Sequence, residues 1–249
     1  MLCSSLWATQ GWSSGLNDSG QLQCYDAKGK VIDCTQSPDD GRYGRDVAAS
    51  TGRLDKVGQG KSGFDFTKIA NNGTELPFSA KLGNEPGDWA CTRDNVTGLF
   101  WEVKTAAQND LRHGGHRYHW YSSDPAINGG DSGTRGDPVF DTCKATLPDS
   151  LCNTQAYVAA INASNLCGLS DWRLPVLPEL QSLVDYGAKQ APTIDVDFFP
   201  NTAANWYWVQ NVKTSSPTSE VWNVHFGKAL SGVGNKDMQY PIRLVRKAK

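Results

Sequence analysis

The chain has 249 residues, 25 of them Gly, 12 Pro, 9 Trp and 7 Cys, with 24 basic against 26 acidic side chains. No apolar run approaches the ~18 residues a membrane span needs, and a formal charge of -2 supplies neither a basic field for nucleic acid nor an acidic solvating tail. An apolar content of 39% with 10% aromatics is enough for a sizeable core.

Along the chain, residues 12–88 are rich in Gly, Asp, Ser and Asn, with short apolar islands such as FDFTKI at 64–69. This composition predicts turns and loops, so residues 1–88 read as a loop-rich N-terminal region and 89–249 as the main domain. In VTGLFWEVK, 96–104, Leu99, Trp101 and Val103 alternate as in a half-buried strand. Residues 105–150 return to loop composition. NTQAYVAAINASNLCG, 153–168, predicts a helix with Tyr157, Val158 and Ile161 on one face, Asn153 or Thr154 at its start and Gly168 at its end. PELQSLVDYG, 178–187, predicts a second helix with Pro178 in its first turn. Beyond residue 200 the period becomes two: WYWV at 206–209, VWNVHF at 221–226 and YPIRLVR at 240–246 predict strands.

Seven cysteines are many for a reducing cytosol and ordinary outside it, so the expected location is extracellular, cell-surface or periplasmic. The absence of any CxxC spacing argues against a zinc cluster and a thioredoxin-type pair. Cys24 and Cys34 flank a turn at Lys28-Gly29 and can clasp a hairpin, and Cys143 and Cys152 bracket a short loop. That pairing leaves Cys91 for Cys167 and Cys3 as the odd thiol, but six cysteines permit 15 connectivities, among which the sequence does not choose. Residues 1–10 lack a charged start and a full hydrophobic stretch, so they do not read as a signal peptide; a leader removed from this chain is the expectation.

The strings DNVTGLFWEVKT (94–105), LCGLSDWRLP (166–175), ELQSLVDYG (179–187), WYW (206–208), WNVHFGK (222–228) and IRLVR (242–246) together resemble the bacterial Lcl C-terminal domain family. The resemblance implies an exported, disulfide-stapled α+β domain related to C-type-lectin and formylglycine-generating-enzyme folds, with two helices and a twisted, mainly antiparallel sheet. It also implies a surface role, since the member that named the family is similar to an adhesin head recognising sulfated polysaccharides. Two departures stand out. Val209-Gln210-Asn211 replaces a Ser/Thr-rich continuation, and Val176 stands where a Thr or Ser would complete a capping box with Glu179.

Catalytic signals are absent. No cysteine follows Cys167, which removes the paired cysteines of the formylglycine-generating relatives, and there is no GxSxG, P-loop, GxGxxG or HExxH. A binding module rather than an enzyme is therefore expected, with no cofactor required. His113, His116 and His119 form a conceivable metal cluster, though two glycines interrupt it, and Arg112 and Arg117 give the same loop a basic character. Asp124, Asp131 and Asp137 are oxygen ligands of the kind calcium takes, in a loop without an EF-hand pattern.

The 201–240 region mixes rigid aromatics with Asn, Ser, Thr and Gly, as binding loops do. Alternation there predicts Trp206, Trp208, Trp222 and Phe226 inside, leaving Tyr207, Gln210, Asn211, Asn223, His225 and Lys228 as the candidate ligand-binding residues. Lys213, His225, Lys228, Lys236 and Arg243 would add cationic contacts to an anionic or sulfated polysaccharide. The expected partner is thus an extracellular glycan or another surface protein, including a further copy of the chain. Trp101, Trp172 and Arg173 read as structural, with Arg173 paired to Glu179 or Asp171.

Overall fold

A computed structural model describes residues 17–37, 39–137, 141–147, 151–213 and 218–247; Cys3 and the 1–10 segment lie outside the described residues. The chain opens with a hairpin of β1 (Cys24–Tyr25) and β2 (Val31–Ile32). Asp26 builds its turn: Oδ1 accepts from Lys28 N and Lys30 N, and its carbonyl accepts from Gly29 N, where φ is +76°. Two short helices follow, α1 (Asp40–Tyr43) and α2 (Arg45–Ser50).

The main sheet is built next, from β3 (Phe66–Ala70), β4 (Glu75–Leu76), β5 (Trp89–Asp94) and β6 (Leu99–Glu102). Asp94 closes the β5–β6 turn by accepting from Val96 N, Thr97 N and Thr97 Oγ1. The C-terminal strand returns to pair with β6, giving five antiparallel strands that run from β4 through β3, β5 and β6 to Val245–Lys247. The boundary expected at residue 89 therefore passes through one sheet, and 64–76 is part of the fold rather than a loop-rich lead-in.

After β7 (Tyr118–His119) comes α3 (Thr154–Ala163). Its N-cap is Asn153, whose Oδ1 accepts from Ala156 N at 2.9 Å. The helix stops before Gly168: Asn165 turns left-handed at φ +50°, and Leu166–Gly168 forms a separate 3-10 turn. The next helix, α4 (Leu177–Gln181), is shorter than predicted. Although Val176 cannot cap, Glu179 still reaches back to accept from Val176 N at 2.8 Å. Arg173 grips the same carboxylate through two hydrogen bonds of 2.7 and 2.8 Å, and Asp171 instead pairs with Arg246.

The last part holds a three-stranded antiparallel sheet of β8 (Trp206–Val212), β9 (Glu220–His225) and β10 (Leu230–Asn235). Beyond it, β11 (Gln239–Tyr240) pairs with β7, and β12 is the closing strand Val245–Lys247. The result is a mixed α/β structure of few helices and antiparallel sheets.

Two apolar clusters fill the interior. One gathers α3 residues Tyr157 and Ile161 with Trp120, Trp172, Trp208, Ile242 and Leu244; the other gathers Leu180, Leu183 and Val184 with Phe66, Trp101, Phe199, Tyr207 and Phe226. Trp101 and Trp172 are interior packing residues, as read from the sequence. Within this apolar interior Glu102 is fully buried. It accepts from Lys104 Nζ at 2.7 Å, from the Tyr157 hydroxyl, and from Leu244 N at 3.0 Å. Arg243, also fully buried, donates to the Glu102 carbonyl at 2.5 Å and to Thr202 Oγ1 at 2.8 Å. Burial pulls the Lys104 amine down to about 8 against the opposing pull of Glu102.

Three disulfides are present, Cys24–Cys34, Cys91–Cys167 and Cys143–Cys152. The second closes a 76-residue separation and ties β5 to the turn after α3, whereas the third closes only 9 residues. In the chain-entropy description, removing Cys91–Cys167 costs about 4.5 kcal/mol and removing Cys143–Cys152 about 2.5 kcal/mol. Urea denaturation of the two Cys→Ala double variants checks this order; equal losses would contradict it.

Candidate functional site

In the β8–β9–β10 sheet, partners in register share a face: Trp206 with His225 and Leu230, Trp208 with Asn223 and Gly232, Tyr207 with Val224 and Ser231. The predicted alternation is present, but in the middle of β8 and β9 both faces are covered, which corrects the expectation that Tyr207 and Asn223 lie outside. Tyr207 and Val224 point into the cluster under α4, while Trp208 packs with Trp120 and Ile242 and lies 4.6 Å from the Tyr240 ring.

The six predicted ligand residues therefore divide. Tyr207 is fully buried, edge-on to Phe226 at 5.1 Å, and its hydroxyl accepts from Ala203 N. Asn223 is buried with its amide bridging the next strand, its nitrogen donating to Gly232 O at 3.1 Å and its oxygen accepting from Gly234 N at 3.2 Å. His225 is 9% exposed; its Nδ1 accepts from Gly227 N, and burial, then the nearby Lys228, holds its pKa below the usual histidine value. These three side chains build the sheet. Asn211 is exposed, but its Oδ1 accepts from Leu177 N at 2.7 Å and so covers a free amide at the start of α4. Lys228 is exposed at the β9–β10 turn, and Gln210 is half-buried at the far end of β8. Gln210 and Lys228 are not brought into one site.

Nor do the expected cations line one surface. Arg243 is buried in the Glu102 cluster, and Lys236, 1% exposed, donates to the carbonyls of Asn128 and Asp131 beneath the Trp120 ring. Lys213 is paired with Glu220 at 2.5 Å. Arg112, read as part of a solvated loop, is buried and braces that loop through Ala90 O, Val103 O and Gly83 O. Trp206 and Trp222, expected inside, are half-buried; Trp206 lies edge-to-face with His225 at 4.8 Å and leans on Gly232, where a Cβ would come within 2.8 Å of the indole.

The three histidines do not converge. His116 Nε2 faces Asp110 O at 3.2 Å, whereas His119 Nε2 faces Gln239 at 2.9 Å and Asp141 at 3.7 Å. The 124–137 loop is a series of turns: Asp124 Oδ1 accepts from Ala126 N, and Asp131 Oδ1 accepts from Gly133 N.

What does converge lies beside Gln210. A cleft of about 180 Å³ is walled by Trp120, Tyr121, Val158 and Leu174, with Gln155, Arg173 and Gln210 as its polar members. Gln155 comes from the first turn of α3, and its Oε1 is fixed by Ser123 N and Oγ. Among the described residues, the Gln155 amide nitrogen and the Gln210 side-chain amide have no protein partner. Arg173 is held by Glu179, so it presents little unbalanced charge. The half-buried Tyr121 beside the free Gln155 nitrogen and Gln210 amide is chemistry for hydroxyl-bearing, CH-faced ligands. Gln210 was legible as a candidate; Tyr121 and Gln155 carry no local signal, since only the packing of α3 against the loop after β7 brings them together.

The sequence profile of the Lcl C-terminal domain matches residues 90–246, more than half of the chain. The chain belongs to that family. No curated protein and no solved structure matches it. The Lcl C-terminal segment begins within β5 and ends within β12, so β3 and β4 of the same sheet precede it.

The burial pattern separates core from surface in stability measurements. Tyr207→Ala is expected to cost about 3–5 kcal/mol, as large-to-small core changes do, and Lys228→Ala less than about 0.5 kcal/mol. Urea denaturation of both variants is the check, and similar losses would place Tyr207 on the surface.

Proposed function

We propose that this protein is an exported binding module, an adhesin-like head at the cell surface or in the periplasm, that recognises a polysaccharide without catalysing a reaction on it. The observation that carries the reading is the cleft beside β8, where Tyr121 meets the Gln155 amide nitrogen and the Gln210 side-chain amide, neither of which has a protein partner among the described residues. Three disulfides support a life outside the reducing cytosol, and family membership supports a C-type-lectin-like scaffold. With Arg243 and Lys236 buried and Arg173 neutralised by Glu179, an uncharged sugar fits better than a sulfated one. A glycan array with wild type, Tyr121→Ala, Gln210→Ala and Lys228→Ala tests this. Binding lost by at least about tenfold in the first two and kept in the third, with little salt dependence, is the expected profile. Identical profiles for all four proteins would remove the site assignment.

A second reading, an assembly subunit of a surface fibre or pilus, is favoured by β10. Among the described residues this strand pairs only with β9, its sequence LSGVGN is uncharged, and Leu230 and Val233 are 42% and 40% exposed. Such an edge invites strand addition. Under this reading light scattering finds ordered oligomers without added glycan, and Val233→Lys dissolves them; a monomer at all concentrations rejects it.

A further inference from the structure

The segment before the main sheet is fastened to it by two buried carboxylates, Asp18 at 5% and Asp46 at 1% exposure. Both accept from the same backbone amide: Gly63 N lies 2.7 Å from Asp18 Oδ2 and 2.8 Å from Asp46 Oδ1. Glycine is required there, because a Cβ would sit 2.2 Å from the Asp18 carboxylate. Each carboxylate keeps one further oxygen, and both of these, Asp18 Oδ1 and Asp46 Oδ2, are buried with no hydrogen-bond partner among the described residues. A third carboxylate, Asp40 of α1, is exposed, and one oxygen from each of the three lies within 4.8 Å of the others. The Ser19 hydroxyl, donating to Asp40 Oδ2, adds a further oxygen at this place.

Among the described residues, no basic side chain forms an ion pair with the group. Arg45 Nε donates to Gly63 O, Lys56 Nζ donates to Gly60 O and Ser62 O, and neither forms an ion pair with Asp18, Asp40 or Asp46 among the described residues. Two buried like charges with idle oxygens are costly unless a counter-charge enters. Burial, then the neighbouring Asp46, pushes the Asp18 carboxyl up to about 7. A proton shared by the pair relieves one charge; a hard divalent cation relieves both and also uses Asp40, which a proton on the pair leaves idle. Calcium takes six to eight oxygens in adaptable geometry, and water can complete its shell from the exposed Asp40 side.

We propose that Asp18, Asp40 and Asp46 form a calcium site that ties residues 17–50 to the loop preceding β3. The site is independent of the glycan cleft and differs from the 124–137 loop, whose aspartates hold backbone turns. Its ligands precede residue 90, outside the family match.

The test is calorimetric titration of EDTA-treated full-length protein with CaCl₂ at neutral pH, together with thermal melts with and without calcium. One binding event per chain and a rise in Tm with calcium are expected. Asp40→Ala, a change at an exposed side chain, weakens binding by at least about tenfold, and Asp124→Ala binds like wild type. Absence of heat and of a Tm shift in the wild type overturns the proposal, as does unchanged affinity in Asp40→Ala. Calcium affinity in Asp18→Asn equal to that of wild type assigns the pair to a shared proton and overturns it equally.

Discussion

The buried carboxylate of Glu102 is the constraint around which the fold is arranged. It closes β6, and it is satisfied from the chain segment after it by Lys104, from α3 by Tyr157 and from the C-terminal stretch by Leu244 N. None of these partners is dispensable, because a carboxylate left unpaired in an apolar interior costs several kcal/mol. The position of α3 against the sheet is thereby fixed, and so is the path of residues 243–247 back to pair with β6. Burial also holds the Tyr157 hydroxyl well above its ordinary pKa, keeping it a donor to Glu102.

Once α3 is placed, the cleft beside Gln210 follows. Thr154 in its first turn exchanges hydrogen bonds with the backbone of Tyr121, and Gln155 next to it fixes Ser123, so the loop after β7 is stitched to the helix. Trp120 turns inward and donates through its indole to Val209 O, which seats β8 beside that loop. A cleft held by a helix, a strand and a bonded loop is pre-organised, so the proposed ligand would meet little ordering cost there.

Much of this was readable locally. The strand at Leu99–Glu102 follows from residue type and spacing, which also narrow the α3 cap to Asn153 or Thr154 and the partner of Arg173 to Glu179 or Asp171; the structure selects Asn153 and Glu179. The failures share one cause. Alternation in VWNVHF and WYWV says which residues face the same way, but not whether either face meets water; α4 covers one side of β8 and β9, and Trp120 with Tyr240 covers the other. Tyr207, Asn223 and His225 thus became core or sheet residues. For similar reasons Arg243, Lys236 and Arg112 looked like surface cations, although each donates to buried carbonyls contributed by distant segments. Likewise Phe66 and Ile69 stand in a loop-like composition, yet they pair with Asp94 and Cys91 across the sheet.

That last pairing bears on how the Lcl C-terminal segment can be handled as a separate piece. Residues 90–246 cut out of this chain would lose β3, and the flank of β5 would present a row of bare amides and carbonyls beside apolar surface now shielded by Phe64 and Phe66. An excised fragment would thus expose a sticky seam that another strand or a neighbouring molecule would have to cover.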